Sequence, residues 1–416
     1  MALSVECCVV NTGRFIFMNI KGNAIVGQSG GPTCVINQSL VGVIEEVRKH
    51  DCIEKLYGSF HGVTGVLDLN FADLDSLSTD SLEKIALTPA SALGSSRVKP
   101  DKAYCEKMFK VFQEKNIRYF FYIGGNDSAS TTNIINNLAI EAGYEIKVFH
   151  IAKTIDNDLL DTDHCPGYGT AARFVSQAIM GDNQDNQALP GVKIDVIMGR
   201  HAGWLTASSI LAKQRETDGP HLIYLPERPV SMEKFAADIK AVVDKIGRCV
   251  VAVSEGICDT DGTVWVEKVM KDVEADMHGN IQLSGSGALA DFLSQNVREK
   301  TGISRVRADT FGYLQRSFPN IQSKSDASEA RQCGRFAVES AATTDASHGS
   351  VGMKRVGGAV YEIEYVINKL SVVASGTQDM PENFINAEGN GVTEAFVDYL
   401  KPLVGDLPEM GYIPRS

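Results

Sequence analysis

Short apolar runs alternate with amphipathic stretches along most of the first 260 residues. NAIVGQ (23–28) reads as a strand, followed by Gly-Gly-Pro and a helix through INQSLVGVIEEVRK. KAYCEKMFKVFQEKN has helical spacing, IRYFFYIGG is a strand, and SASTTNIINNLAIEAG returns to helical spacing. The same alternation continues through the strand IKVFHIAKT, the helix TAARFVSQAIMGDNQDN, the strand KIDVIMGR and the helix AGWLTASSILAKQ. HLIYLPE and CVVAVSEG are further strands, flanking the helix SMEKFAADIKAVVDKIG. Strands this apolar, separated by helices, predict an α/β fold whose parallel sheet is covered on both faces. Ligands of such sheets gather beyond the carboxyl ends of the strands. The segments after residues 28, 123, 152 and 197 are therefore where chemistry is expected.

Composition narrows the class. A chain of 416 residues is long enough for two α/β domains or one large one. Its 44% hydrophobic and 22% charged residues fit a soluble globular protein. A net charge of −12 with no basic stripe argues against nucleic acid, though a local Arg/Lys cluster can still grip a small anion. Nine cysteines without a CxxC pair, and eight histidines without HExxH, read as reduced thiols and core or surface imidazoles in a cytoplasmic protein. No apolar run reaches the roughly 18 residues of a membrane span. Glu6 and Arg14 interrupt the mildly apolar N-terminus, so residues 1–18 are expected to be an extension, dispensable if the chain is started at Met18.

Each of the four strand ends admits a plain and a chemical reading. GQSGGPT (27–33) is either a tight turn or a phosphate loop, with Pro32 suited to the first helical position. In YIGGNDSAS (122–130), a helix cap accounts for one of Asn126, Asp127 and Ser128 but not for the glycine pair ahead of them. In KTIDND, Asp156 and Asp158 point the same way in extended backbone, just after Lys153. One carboxylate is then able to accept a proton and the other to hold a hard cation. Solvated loop acids are the plain alternative, which the apolar lead-in KVFHIA disfavours. In VIMGRHAGWLT, Arg200 either grips a phosphate bidentately or makes a surface ion pair. VSEGI with Glu255, and RADTFGYLQRS with Arg307, Tyr313 and Arg316, continue the pattern.

Taken together, QSGGPT, LGSSR, GGNDS, KTIDND, MGRHAGWLT, SEGI and GYLQRS, in this order between about Ala24 and Arg316, resemble the phosphofructokinase family. The resemblance implies two three-layer α/β domains with largely parallel sheets and an active site in the cleft between them. It also implies Mg²⁺-dependent phosphoryl transfer to the 1-hydroxyl of fructose 6-phosphate. On this basis residues 19–160, completed by a segment after about 310, form a phosphate-donor domain. Residues 161–310 form a sugar-phosphate domain, and 311–416 a return segment with C-terminal helices shared between the two.

Position by position, the resemblance gives Asp156 as the base, with Lys153 and Arg200 also catalytic, and Asn126 and Asp158 at the metal. Thr154, Met198, Gly199, Arg200, Glu255, Tyr313 and Arg316 fall at the sugar phosphate, and Arg307 matches an arginine lent by a neighbouring subunit, which implies a homodimer or homotetramer. Gly30, Gly31, Arg97, Asp127, Ser128 and Lys153 fall at the donor. Family members that use ATP resemble one another in carrying glycine at the positions of Asp127 and Lys153, whereas users of pyrophosphate carry aspartate and lysine. The pair here implies pyrophosphate as the donor, with Lys153 contacting it and Asp127 both orienting Lys153 and filling the space a nucleotide's α-phosphate would need. An ATP-dependent enzyme and a silent regulatory subunit are the rival readings. Many members place aspartate where this chain has Asn126, which offers a carbonyl oxygen without charge.

Overall fold

Two parallel sheets carry the chain in a computed structural model that describes residues 20–269, 287–358 and 360–413. The expectation for residues 1–18 lies outside the described residues. The first sheet contains β1 (Gly22–Gln28), β2 (Ile53–Ser59), β3 (Phe71–Asp73), β4 (Ile117–Gly124) and β5 (Lys147–Ala152), joined by β10 (His348–Arg355) and β11 (Ile363–Asn368). Its order is β11-β10-β5-β4-β1-β2-β3, parallel except at the two edge strands. The second sheet contains β6 (Val192–Ile197), β7 (Leu222–Tyr224), β8 (Cys249–Ser254) and β9 (Val306–Thr310) in the order β7-β8-β6-β9, parallel throughout.

Both sheets are the middle layer of three. Alternate residues of β1 and β4 explain why. Ala24, Val26, Tyr119 and Phe121 bury against helices Ile36–Val47 and Lys324–Thr343, while Ile25, Phe120 and Tyr122 bury against helices on the opposite face. Ile197, Val250 and Ala252 of the second sheet join one core, and Ile194, Val251 and Val253 join another. Strands buried on both faces need apolar residues at every position, which is the pattern read from the sequence.

Two expectations differ. The helix after GQSGGPT begins at Ile36, where INQSLVGVIEEVRK was read, but Pro32 stays in the loop instead of at the first helical position, and the backbone of residues 30–33 pairs with residues 90–96. AGWLTASSILAKQ forms only one helical turn, Trp204–Ala207, followed by a 3₁₀ segment Ser208–Ala212. There the Ser208 and Ser209 hydroxyls donate to the carbonyls of Leu205 and Thr206, competing with the α-helical pattern.

The return of the chain to its first sheet depends on the contact between helices Ile36–Val47 and Lys324–Thr343. A Cβ on Gly42 would lie 2.0 Å from the Arg331 carbonyl oxygen, and one on Gly334 2.1 Å from that of Ser39. Arg331 and Arg335 then fork onto Glu45 across the same contact. Gly42→Ala should therefore push the helices apart and lower stability by about 1–3 kcal/mol, despite the better helix propensity of alanine. A urea unfolding curve with an unchanged or raised midpoint would refute this packing account.

Candidate active site

Six strand ends build one pocket. β5, β4 and β1 are neighbours in the first sheet, and β8, β6 and β9 in the second. The residues just beyond these strands line a cavity of about 500 Å³. The first sheet supplies Gly30, Gly31, Asn126, Asp127, Ser128, Lys153, Thr154, Asp156 and Asp158, with Arg97 from a loop. The second supplies Met198, Arg200, Glu255, Tyr313 and Arg316. Of the residues singled out from sequence, Gly199 and Arg307 are not in the lining. Gly199 instead shapes the loop: at φ 147° its carbonyl accepts from the Ser254 hydroxyl at 2.5 Å and the Gly256 N–H at 3.1 Å. Arg307 is exposed on β9, its guanidinium donating to the neighbouring Val306 carbonyl.

Glycines set the approach of these loops. A Cβ on Gly124 would stand 1.9 Å from the Ser128 hydroxyl oxygen, so only glycine lets the first turn of helix Asn126–Ala142 fold back on its strand. The cap of that helix is Gly125, with no side-chain capping bond, so Asn126, Asp127 and Ser128 are not there as caps. At Gly31 a Cβ would meet an Arg316 nitrogen at 2.7 Å, and at Gly256 the Arg200 carbonyl at 2.0 Å.

The charges are crowded. Lys153 is 2% exposed, and its ammonium donates to the Gly31 carbonyl at 2.6 Å. Burial, then the charges of Arg316 and Arg97, outweigh the attraction of Asp156 and push its pKa down to about 7. Burial also raises Asp156 against the opposing pull of Lys153, and burial with the charge of Asp156 pushes Asp158 up to about 7. Burial and Arg97 lower Arg316, whose Nε is buried without a hydrogen-bond partner. The Thr154 hydroxyl lies 3.4 Å from Asp156 Oδ2 and accepts from the Asp156 N–H at 3.1 Å, closing a turn that aims the carboxylate.

Two expectations need correction. Gly30 lines the pocket, but its N–H donates to the Ser96 carbonyl at 3.0 Å, so it is not a donor held ready for an anion. Asp127 is exposed and pairs with Lys99 at 3.2 Å rather than orienting Lys153, because the lysine turns inward to Gly31. Arg316, expected at the sugar's 6-phosphate, lines the pocket with Tyr313 and Glu255 and also packs against Gly31.

The sequence reading missed His201 and Thr377 in the lining, and Gln315 beneath it. Buried Gln315 accepts from the Met198 N–H at 3.2 Å and donates to the Gly312 carbonyl, tying MGR to GYLQRS. Lys193, on β6 ahead of MGR, lies outside the lining among Asp309, Asp182 at 3.5 Å and Asp195 at 3.8 Å.

The Asn126 side-chain oxygen is buried without a hydrogen-bond partner and borders the same cavity as Asp158. An uncommitted amide oxygen beside a carboxylate fits a hard divalent cation. Among the described residues, no helix is long and apolar enough to cross a membrane.

The same motifs, in the same order, occur in known proteins. The family model described as Phosphofructokinase matches residues 23–341. A pyrophosphate–fructose 6-phosphate 1-phosphotransferase of Rhodospirillum rubrum is 53% identical over 92% of this chain and 95% of its own. A protein of the same name from Xanthomonas campestris is 36% identical, covering 93% of each chain. The crystal structure of a pyrophosphate-dependent phosphofructokinase from Nitrosospira multiformis superposes with a TM-score of 0.82 at 34% identity, covering 94% of each chain. With the fold, the pocket and the matched span in agreement, this chain belongs to the phosphofructokinase family.

Proposed function

We propose that the protein catalyses reversible, Mg²⁺-dependent transfer of a phosphoryl group from pyrophosphate to the 1-hydroxyl of fructose 6-phosphate, a step of glycolysis. The observation that carries this reading is the buried Lys153 ammonium held against the Gly31 loop, beside Asp156 and Arg316. A desolvated cation there suits a compact, highly charged donor. The names of the close relatives support the same donor.

The first-sheet half of the pocket is the donor side. The N-terminus of helix Asn126–Ala142, with Ser128, Lys153 and Arg97, faces the pyrophosphate, and its dipole favours the anion. Asn126 and Asp158 would hold Mg²⁺, which supplies charge neutralisation for the phosphates when bound. Met198, Arg200, Glu255 and Tyr313 form the sugar-phosphate side. Arg316, between the halves, is placed to steady both the 6-phosphate and the transferring group. Asp156 takes the proton from the 1-hydroxyl, and its raised pKa makes it a stronger base than an ordinary aspartate. Thr154 holds that carboxylate in its aim. In the reverse direction Asp156 returns the proton.

Residues 19–160 with the returning strands act as the donor domain, and 161–310 as the sugar-phosphate domain. Arg307 projects away from its own pocket, so we assign it to the site of a neighbouring chain, in a homodimer or homotetramer acting in the cytoplasm.

A coupled assay with fructose 6-phosphate and Mg²⁺, comparing pyrophosphate with ATP, tests the donor. Pyrophosphate should give the higher kcat/KM, and a wild-type preference for ATP would overturn the reading. Lys153→Gly removes a charge-assisted contact of about 1.5–3 kcal/mol, so pyrophosphate use should fall roughly 10- to 150-fold. Asp156→Asn keeps the shape but not the base; kcat should drop about 10²–10⁴-fold with KM little changed. Near-normal turnover in that variant would remove Asp156 from the role.

A further inference from the structure

Asn157 stands between the two pocket carboxylates, at φ 58°. Asparagine tolerates that left-handed conformation better than most residues with a Cβ, and here its side chain is held at both ends. The Asn157 Oδ1 accepts from the Cys165 N–H at 2.9 Å. Its Nδ2 donates to the Tyr399 hydroxyl at 3.0 Å, and that hydroxyl donates to the Asp163 carbonyl at 2.9 Å. Both ends of the amide are thus tied, directly or through one hydroxyl, to the two peptide groups that flank His164.

His164 is itself buried, 1% exposed, and bonded at both ring nitrogens. Nδ1 meets Asp163 Oδ1 at 2.8 Å, and Nε2 meets Glu329 Oε2 at 2.8 Å. Carboxylates only accept, so both nitrogens must carry protons. Each acid accepts from a further donor: Arg355 reaches Asp163 at 3.1 Å, and the Tyr361 hydroxyl reaches Glu329 at 2.6 Å. Two cations and two anions therefore close a tetrad, buried at His164 and Glu329 and half-buried at Asp163 and Arg355, that joins this loop to helix Lys324–Thr343 and to β10. Tyr399 and Arg355 line its other side, and Asp326 and the Cys333 thiol lie near Glu329.

We propose that His164 is a positioning residue for Asp156 and Asp158, a doubly carboxylate-bound cation that fixes the turn at Asn157 and through it the spacing of the two pocket acids. The role rests on the reading of Asp156 and Asp158 given above. Burial pulls the imidazole down, but the bonds to Asp163 and Glu329 outweigh it and hold its pKa up at about 9. Its contribution to the folded state is fully present below the ordinary value of 6.5 and fades as pH rises through about 9. Neutral histidine has one N–H, so one carboxylate then faces a bare ring nitrogen and the clamp loosens.

The test begins with wild-type kcat at saturating substrates from pH 7 to 10, with near-ultraviolet circular dichroism alongside. It should fall reversibly near pH 9 while the tertiary signal persists; a kcat unchanged to pH 10 overturns the role. Glu329→Gln keeps both hydrogen bonds but removes one charge. Its kcat should fall about 10–100-fold with both KM values within twofold, and its alkaline limb should move to lower pH. His164→Gln should show the same kcat loss without that limb. Folded variants with wild-type kcat and an unmoved limb, or losses that merely track the unfolded fraction in urea, refute positioning. An inert wild type overturns the assigned reaction and this role with it, whereas an active wild type with indifferent variants overturns only the role.

Discussion

The site depends on a single costly arrangement, a lysine ammonium buried at a strand end with a backbone carbonyl at 2.6 Å. Taking a charge from water is expensive unless it is paired, and a lysine so placed gives up its proton more readily. Much of the neighbouring sequence follows from that. Gly31 is without a side chain because Arg316 comes up against its Cα, and the Gly31 carbonyl is thereby left to receive Lys153. The two pocket carboxylates offset the cations around them, and each is raised by the same burial that lowers the lysine. The pocket holds its charges in tension, to be relieved by an anion on one side and a cation on the other.

Holding such a set together requires rigid carriers. Three adjacent parallel strands in each sheet end on the same side, so every loop between Gly30 and Arg316 that carries chemistry starts from a fixed point. The loops are then bonded to one another. Gln315 joins the last of them to Met198, the Gly199 carbonyl is fastened by Ser254 and Gly256, and the Gln378 N–H donates to the Asp158 carbonyl at 2.7 Å. That last bond brings the C-terminal return segment, and Thr377 with it, to the edge of the pocket.

What the sequence made legible follows from period and proximity. β4 and β5 are buried on both faces, so IRYFFYIG and KVFHIA read plainly as strands, and the polar residues immediately after them read as site residues. Asn126 to Ser128, Lys153 to Asp156, and Asp158 line the cavity, while Asn157 between the two acids is bonded to Cys165 and Tyr399 instead. The direction of each was not legible. Whether Asp127 turns to Lys153 or to Lys99, and whether the Gly30 N–H is already engaged, depends on the loop of residues 90–99, which is distant in sequence. β10 and β11 gave no strong pattern because β11 is an edge strand of half-buried residues. His164 and Gln315 were passed over for a related reason: their partners Glu329 and Met198 are more than a hundred residues away, and nothing local marks them.

The central claim is that burial loosens the proton of the Lys153 ammonium, and that an anionic donor pins it in place. Calorimetric titration of pyrophosphate into the metal-free protein at pH 8, repeated in buffers of different ionisation enthalpy, counts the protons taken up on binding. With a free pKa of about 7, wild type should take up close to one proton more per pyrophosphate than Lys153→Met does. Equal proton counts for the two proteins, with pyrophosphate bound by both, would contradict the account.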